Sequence, residues 1–212
     1  MSREIIPTIL VQDRLEFVRR LDIMAGKIGM AQMDIMDGKF VANTTFTDPK
    51  VAARYKVAYE LDLMVEDPEP VLDAWEKVPM VKRAFVHAEI KKSLAPFLRK
   101  IKSYGWEAGI AINPDTEWEV VKDFVGKIDA VLFMTVYPGQ NGAPFQPKVV
   151  PKIKAFHAAY PKVAIEVDGG VNEKTLPRLL KAGVARFAVG SAIWSAPDPI
   201  QAYKKLLTLI NQ

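Results

Sequence analysis

Ala31-Gln32-Met33-Asp34-Ile35-Met36-Asp37-Gly38 is the stretch on which the reading of the chain turns. It begins apolar, as a buried strand does, and ends in two acids and a glycine, as an active-site loop does. Side chains alternate in direction along a strand, so Gln32, Asp34 and Met36 share one face, and Gly38 lets the chain turn. Two later stretches end in a similar way: Glu60-Leu61-Asp62-Leu63-Met64-Val65 and Glu166-Val167-Asp168-Gly169-Gly170. There Asp62 shares a face with Met64, and Glu166 with Asp168. Three acids at the exits of apolar strands point to one catalytic centre assembled from distant parts of the chain.

On either side of this stretch, apolar strand-like runs alternate with segments of helical period. Strands are expected around Ile6, Met33, Leu61, Phe85, Ile110, Val131, Ile165 and Phe187. Helices are expected over Gln12–Met24, Pro49–Lys56, Pro68–Glu76, Leu94–Tyr104, Glu117–Val125, Lys148–Ala159, Glu173–Ala182 and Pro199–Ile210. Asp115-Thr116 before Glu117 and Asn172 before Glu173 are start signals, and Gly105 and Gly183 stand where left-handed caps belong. Eight such β–α units fit an α/β fold, a (β/α)8 TIM barrel occupying residues 1–212 as a single domain. Runs such as Ala108 to Ile112 and Val184 to Val189 are apolar on both faces, as parallel strands covered by helices must be. An open doubly wound sheet has the same alternation, but acids and glycines recurring at strand exits favour the closed barrel.

The bulk properties agree with this. At 212 residues the chain is long enough for one large core, and half hydrophobic with a quarter charged it has an ordinary globular composition. Without cysteine, disulfides and thiolate metal sites are excluded, which suits a reducing compartment. The segment Met1 to Pro7 lacks the apolar core of a secretion signal, and no run is long enough to span a bilayer, so a cytoplasmic protein without membrane partners is expected. The net charge of +4 comes from scattered lysines and arginines, many beside acids, so nucleic-acid binding is not expected.

Each acid alone could be a helix cap or a loop staple, but three with similar placement read as catalytic. Glycines follow the last three strands in Val136-Tyr137-Pro138-Gly139-Gln140-Asn141-Gly142, in Asp168-Gly169-Gly170-Val171 and in Val189-Gly190-Ser191-Ala192. Glycine lets backbone N–H groups approach an anion, and barrels commonly hold phosphate after strands seven and eight. The Gly139–Gly142 segment could also form a lid.

These motifs in this order resemble the ribulose-phosphate 3-epimerase family nearly end to end. The matching pieces are Ile6-Pro7-Thr8-Ile9-Leu10, Met36-Asp37-Gly38-Lys39-Phe40-Val41, Leu63-Met64-Val65, Val86-His87-Ala88-Glu89, Ala111-Ile112-Asn113-Pro114, Met134-Thr135-Val136-Tyr137-Pro138-Gly139, Glu166-Val167-Asp168-Gly169-Gly170-Val171 and Gly190-Ser191-Ala192-Ile193. The resemblance implies an isomerase of the pentose phosphate pathway that interconverts D-ribulose 5-phosphate and D-xylulose 5-phosphate. It assigns Asp34 and Asp168 to proton transfer at C3 through an enediolate, one ionised while the other holds a proton. Met36, Met64 and Met134 match the methionines around the enediolate. Thr8 and His87 match positions near the substrate, and Gly139, Gln140, Asn141, Gly142, Gly169, Gly170, Gly190 and Ser191 would hold the phosphate. Self-association into a homo-oligomer is a further implication.

The chain departs from the family at the metal. Two histidines and the two aspartates usually hold a divalent cation there, and in this sequence the histidine positions are Gln32 and Asp62. The remaining set, Asp34, Asp62, Asp168 and Gln32, offers oxygen and so favours magnesium or manganese over zinc, or no metal at all. Without a cation, close carboxylates repel and at least one should be protonated. Two alternatives stand beside the epimerase: a 3-epimerase or lyase acting on another ketose phosphate, and a non-catalytic sugar-phosphate-binding barrel. The absence of lysine from Asp34-Ile35-Met36-Asp37 counts against the decarboxylase branch with its Asp-x-Lys-x-x-Asp pattern, and retention of both Asp34 and Asp168 counts against a mere binder.

Overall fold

The structure is a computed structural model that describes residues 2–139 and 142–211. Eight parallel strands close into a barrel in chain order: β1 (Glu4–Ile9), β2 (Met30–Met36), β3 (Ala58–Met64), β4 (Val81–His87), β5 (Glu107–Ile112), β6 (Ala130–Met134), β7 (Ala164–Asp168) and β8 (Arg186–Val189). Pairing of β1 with β8, from Glu4 opposite Arg186 to Pro7 opposite Val189, closes the ring. Every expected strand centre lies inside a strand, and the closed ring excludes the open sheet.

The helices are α1 (Arg14–Met24), α2 (Pro49–Ala52), α3 (Glu69–Trp75), α4 (Leu94–Ser103), α5 (Val149–Ala159), α6 (Leu176–Leu180), α7 (Ser191–Trp194) and α8 (Pro199–Ile210). Asp13 caps α1 by accepting from the Glu16 N–H at 2.9 Å, so that helix begins after the expected Gln12. The segment expected as an α-helix over Glu117–Val125 is a 3-10 helix, Trp118–Phe124. The helix expected from Glu173 starts only at Leu176. Asn172 folds back on the Lys174 N–H at 2.9 Å, and Pro177, which cannot donate, is tolerated only in the first turn. The four-residue α7 is too short to leave a periodic trace.

Packing divides the strand residues into two sets. Outward-facing residues such as Met33, Ile35, Tyr59, Leu61 and Leu63 join α1, α3 and α4 in one large hydrophobic shell. Inside the barrel, Phe85, Ala111, Ala130, Leu132, Met134 and Ala164 form a separate small core on the β4 to β7 side. Gly109 belongs to the same region: a Cβ there would stand 2.3 Å from the Phe85 ring, so only glycine leaves room for it.

Charge occupies the lower part of the barrel. Arg83 is 4% exposed and reaches Glu60 at 3.0 Å, Glu4 at 3.3 Å, and Glu166 and Glu107 at 3.4 Å each. Glu60 and Glu166 are fully buried: burial and then the Glu166 charge hold Glu60 well above the ordinary carboxyl range, and burial holds Glu166 above it against the pull of Arg83 and of the hydrogen bond with Glu60. Arg186 adds a second guanidinium, 2.8 Å from Glu107. One stacked level toward the C-terminal strand ends come Asp62 and Asp168, two residues on from Glu60 and Glu166.

Candidate functional site

Strand register brings the acids of the opening stretch together. Asp34 stands opposite Asp62, and Met36 opposite Met64, across the β2–β3 pair. Met134 stands opposite Asp168 across β6–β7. Oxygens of Asp34, Asp62 and Asp168 all lie within 4.8 Å of one another. Asp34 is 2% exposed and Asp62 is sealed, whereas Asp168 keeps partial access to the cavity above.

Gln32 sits at the centre of the group. Its Nε2 donates to Asp34 Oδ1 at 2.7 Å and to Asp168 Oδ2 at 2.8 Å, so one amide joins the non-adjacent strands β2 and β7 through the barrel interior. Asp62 turns the other way, its Oδ1 lying 3.0 Å from His87 Nε2, while His87 Nδ1 faces Glu89 Oε2 at 3.5 Å. Glu89 is itself held by Thr116 Oγ1 and the Asn113 N–H.

These surroundings set the charges. Burial, and then the Asp62 charge, push the Asp34 carboxyl up to about 7, against the opposing pull of Gln32, Arg20 and the Thr8 hydroxyl. Asp168 lies well above the ordinary range, through burial first and then through Asp34 and Asp62. Burial alone would lower His87, but the Asp62 carboxylate and then Glu89 outweigh it and raise the imidazole to about 9. A buried imidazolium thus answers one of the three acids, and the other two, both raised by burial, are placed to hold a proton between them.

The cavity at the C-terminal mouth of the barrel is lined by Thr8, Asp34, Met36, Met64, Met134, Gly139, Gly142, Asp168, Gly169, Gly170, Gly190 and Ser191, among others. All of these were expected at the site from the sequence. Gln140 and Asn141, also expected there, lie outside the described residues. Asp62, Gln32 and His87 are placed beneath the wall: they touch the acids but do not line the cavity. His87, expected near the substrate, therefore meets Asp62 and the Phe40 ring, whose centroid is 4.8 Å away. Asp37, the second acid of the opening stretch, staples its loop by accepting from Lys39, Phe40 and Glu66 N–H groups.

The loops after β6 to β8 are tightly made. Gly169 has φ +107°, and a Cβ there would come within 2.3 Å of Val136. Thr135 Oγ1 donates to the Gly169 carbonyl at 2.5 Å, and Thr175 Oγ1 and Asn172 Nδ2 both reach the Gly170 carbonyl at 2.9 Å. With their carbonyls tied down, Gly169 and Gly170 enter the cavity wall beside Gly190 and Ser191, where α7 begins. No lysine or arginine lines this cavity among the described residues, so an anion there would be met by backbone and hydroxyl groups.

Arg20 is a participant that the sequence reading missed. It is 7% exposed, stacks over the Trp194 ring at 4.7 Å, and shares the Thr8 carbonyl with the Trp194 indole N–H, which donates at 2.6 Å. Its signal was positional: Phe17, Arg20, Leu21 and Met24 form the buried stripe of α1, and an arginine in an apolar stripe needs a reason.

The three carboxylates could hold a divalent cation. Gln32 Oε1 and Asp62 Oδ2 are buried without hydrogen-bond partners, which is where further oxygen ligands would come from. Their oxygens are of the type a hard cation such as magnesium or manganese takes, but the Gln32 NH2 group already stands between Asp34 and Asp168, and His87 already engages Asp62.

A sequence model of the "Ribulose-phosphate 3 epimerase family" matches residues 4–194. The chain is 33% identical over 212 residues to the ribulose-phosphate 3-epimerase of Bacillus subtilis (strain 168), covering 96% of this chain and 97% of that one. To the enzyme of the same name from Eremothecium gossypii it is 32% identical over 210 residues, covering 92% and 87%. Among solved structures, 3-hexulose-6-phosphate synthase from Salmonella typhimurium superposes with a TM-score of 0.72 over 99% of both chains at 13% identity, a likeness of fold.

Proposed function

The chain belongs to the ribulose-phosphate 3-epimerase family and is an epimerase; from that premise we propose that it interconverts D-ribulose 5-phosphate and D-xylulose 5-phosphate by two-carboxyl proton transfer at C3. The observation that carries this reading is the pair Asp34 and Asp168, held across the barrel by one amide at the floor of the glycine-lined cavity.

Asp34, ionised, takes the proton from C3, whose acidity comes from the neighbouring C2 carbonyl. The resulting enediolate lies between the two acids, and Asp168, protonated, gives its proton to C3 from the opposite side. The net change inverts C3 and leaves Asp34 protonated and Asp168 ionised; the reverse reaction or exchange with solvent resets the pair. This division is supported by burial, which raises Asp34 to about 7 and Asp168 well above the ordinary carboxyl range, so that a proton is retained on the pair. Met36, Met64 and Met134 supply an apolar, polarisable wall around the planar intermediate. The phosphate would rest on Gly169, Gly170, Gly190 and Ser191, away from the acids.

The cell would present this protein with a small sugar phosphate as its partner, and self-association and a cytoplasmic setting accompany the same reading. Among the described residues, no helix is long and apolar enough to cross a membrane.

An enzyme-coupled assay for D-xylulose 5-phosphate formed from D-ribulose 5-phosphate tests the reading. Turnover by the wild type and its loss in Asp168→Asn are expected. Turnover of only a six-carbon ketose phosphate would move the substrate assignment, and no turnover of any ketose phosphate would overturn it.

A further inference from the structure

Gln32 is completely buried, and the way its amide faces is informative. Nε2 carries two hydrogens and no accepting lone pair, and the two hydrogens go to two different acids, Asp34 Oδ1 at 2.7 Å and Asp168 Oδ2 at 2.8 Å. This orientation leaves Oε1 buried with no partner, which costs the desolvation of one acceptor. The opposite orientation would press Oε1 against two carboxyl oxygens at the same distances. Two hydrogen bonds to acidic groups outweigh one orphaned acceptor, so the nitrogen points inward. A histidine ring nitrogen in that place could give only a single hydrogen and could not serve both acids.

A cation bridging Asp34 and Asp168 would have to enter the space this NH2 group fills, and would find Asp62 Oδ1 already engaged by His87 at 3.0 Å. We propose that Gln32 links Asp34 and Asp168 in place of a divalent ion, so that proton transfer at C3 runs with no metal bound. The inference rests on the epimerase reading and deepens it. Gln32 is a positioning residue: it lies under the cavity wall and holds one oxygen of each acid, while both acids line the cavity itself. Because it donates to both, it supports whichever acid is ionised, and nothing at the site need move as the proton passes from Asp168 to C3 and from C3 to Asp34.

The test combines chelation, calorimetry and two substitutions. Wild-type protein stripped with excess EDTA is expected to keep its full rate of C3 hydrogen exchange on D-ribulose 5-phosphate, and titration of magnesium, manganese or zinc chloride into it is expected to give no binding heat at the site. Gln32→Met removes both donors at similar volume, and should lower kcat by roughly 10–100-fold with KM little changed. Gln32→Glu keeps the shape but replaces donors by a fourth carboxylate; it should be as impaired, and manganese should not restore it. Exchange that disappears on chelation and returns with manganese or magnesium overturns the proposal, as does manganese binding by the wild type that Gln32→Met weakens. Chelation and titration of the wild type decide the matter even if a variant misfolds, as judged by circular dichroism. If no ketose phosphate exchanges in any state, the epimerase reading has failed, and the titration alone then judges Gln32: an ion bound through it refutes the linking role.

Discussion

Asp62 and His87 face each other inside the barrel, Oδ1 to Nε2 at 3.0 Å, and neither is exposed at all. This ion pair lies one step from the proton-transfer acids, and the Asp62 charge is among the causes that raise both Asp34 and Asp168. His87 therefore bears on both stability and chemistry without touching the cavity.

Replacing His87 by glutamine leaves the Asp62 carboxylate buried and uncompensated, which should cost about 3–5 kcal/mol. The sign with pH follows from the raised imidazole. Its stabilisation is complete below the unfolded value of 6.5 and is lost as pH rises through about 9. Urea unfolding of His87→Gln and wild type should thus differ most near pH 6 and much less above pH 9. A difference independent of pH would contradict the ion pair.

The pH profile of kcat/KM should be bell-shaped. Its acid limb should lie near 7, where Asp34 ionises, and its alkaline limb should come from loss of the proton that Asp168 holds. His87→Gln, by leaving more negative charge beside the pair, should move the acid limb upward. An acid limb at the ordinary aspartate range, near 3.8, would show that Asp34 is not perturbed as described.

Raised carboxyls also oppose folding at higher pH. A folded pKa above the unfolded one gives stability that is present at low pH and lost as pH rises through the folded value. Asp34→Asn should therefore melt higher than the wild type near pH 8 and show no advantage near pH 4, while losing on the order of 10²–10⁴-fold in kcat. Scanning calorimetry at the two pH values checks the first part and steady-state kinetics the second.

Arg83 is the hub of the charged level below the site, within 3.4 Å of four glutamates. Arg83→Met should destabilise by about 3–5 kcal/mol, because Glu60 and Glu166 would be left buried without their cation. Full wild-type stability in this variant would mean that the glutamates are already neutral.

Gly169→Ala should raise KM for the phosphorylated substrate more than it lowers kcat, since φ +107° and the 2.3 Å approach to Val136 force the loop to shift. An unphosphorylated pentulose, turned over poorly by both proteins, should show little difference between them.

Much of this was legible in the sequence because period and punctuation sit close together along a chain. Alternation in β2, β3 and β7 placed Asp34, Asp62 and Asp168 on the inward face, and glycines after β6 to β8 marked the loops that line the cavity. What was not legible depends on contacts far apart in sequence. Gln32 reads as a lost histidine until Asp168, 136 positions away, is seen on its amide nitrogen. His87 reads as a neighbour of the substrate until Asp62 is found opposite it. Local errors had local causes: Pro177 delayed α6, and the segment after Glu117 wound into a 3-10 rather than an α-helix.

Proton transfer at C3 by Asp34 and Asp168 is read out by hydrogen exchange at that carbon. Proton NMR of D-ribulose 5-phosphate in deuterium oxide should show the C3 signal vanish with wild-type protein, with the xylulose epimer also labelled at C3. Asp34→Asn should suppress that exchange strongly, and Asp168→Asn should abolish the labelled xylulose epimer. Undiminished exchange in both variants, or none in the wild type, would contradict the account.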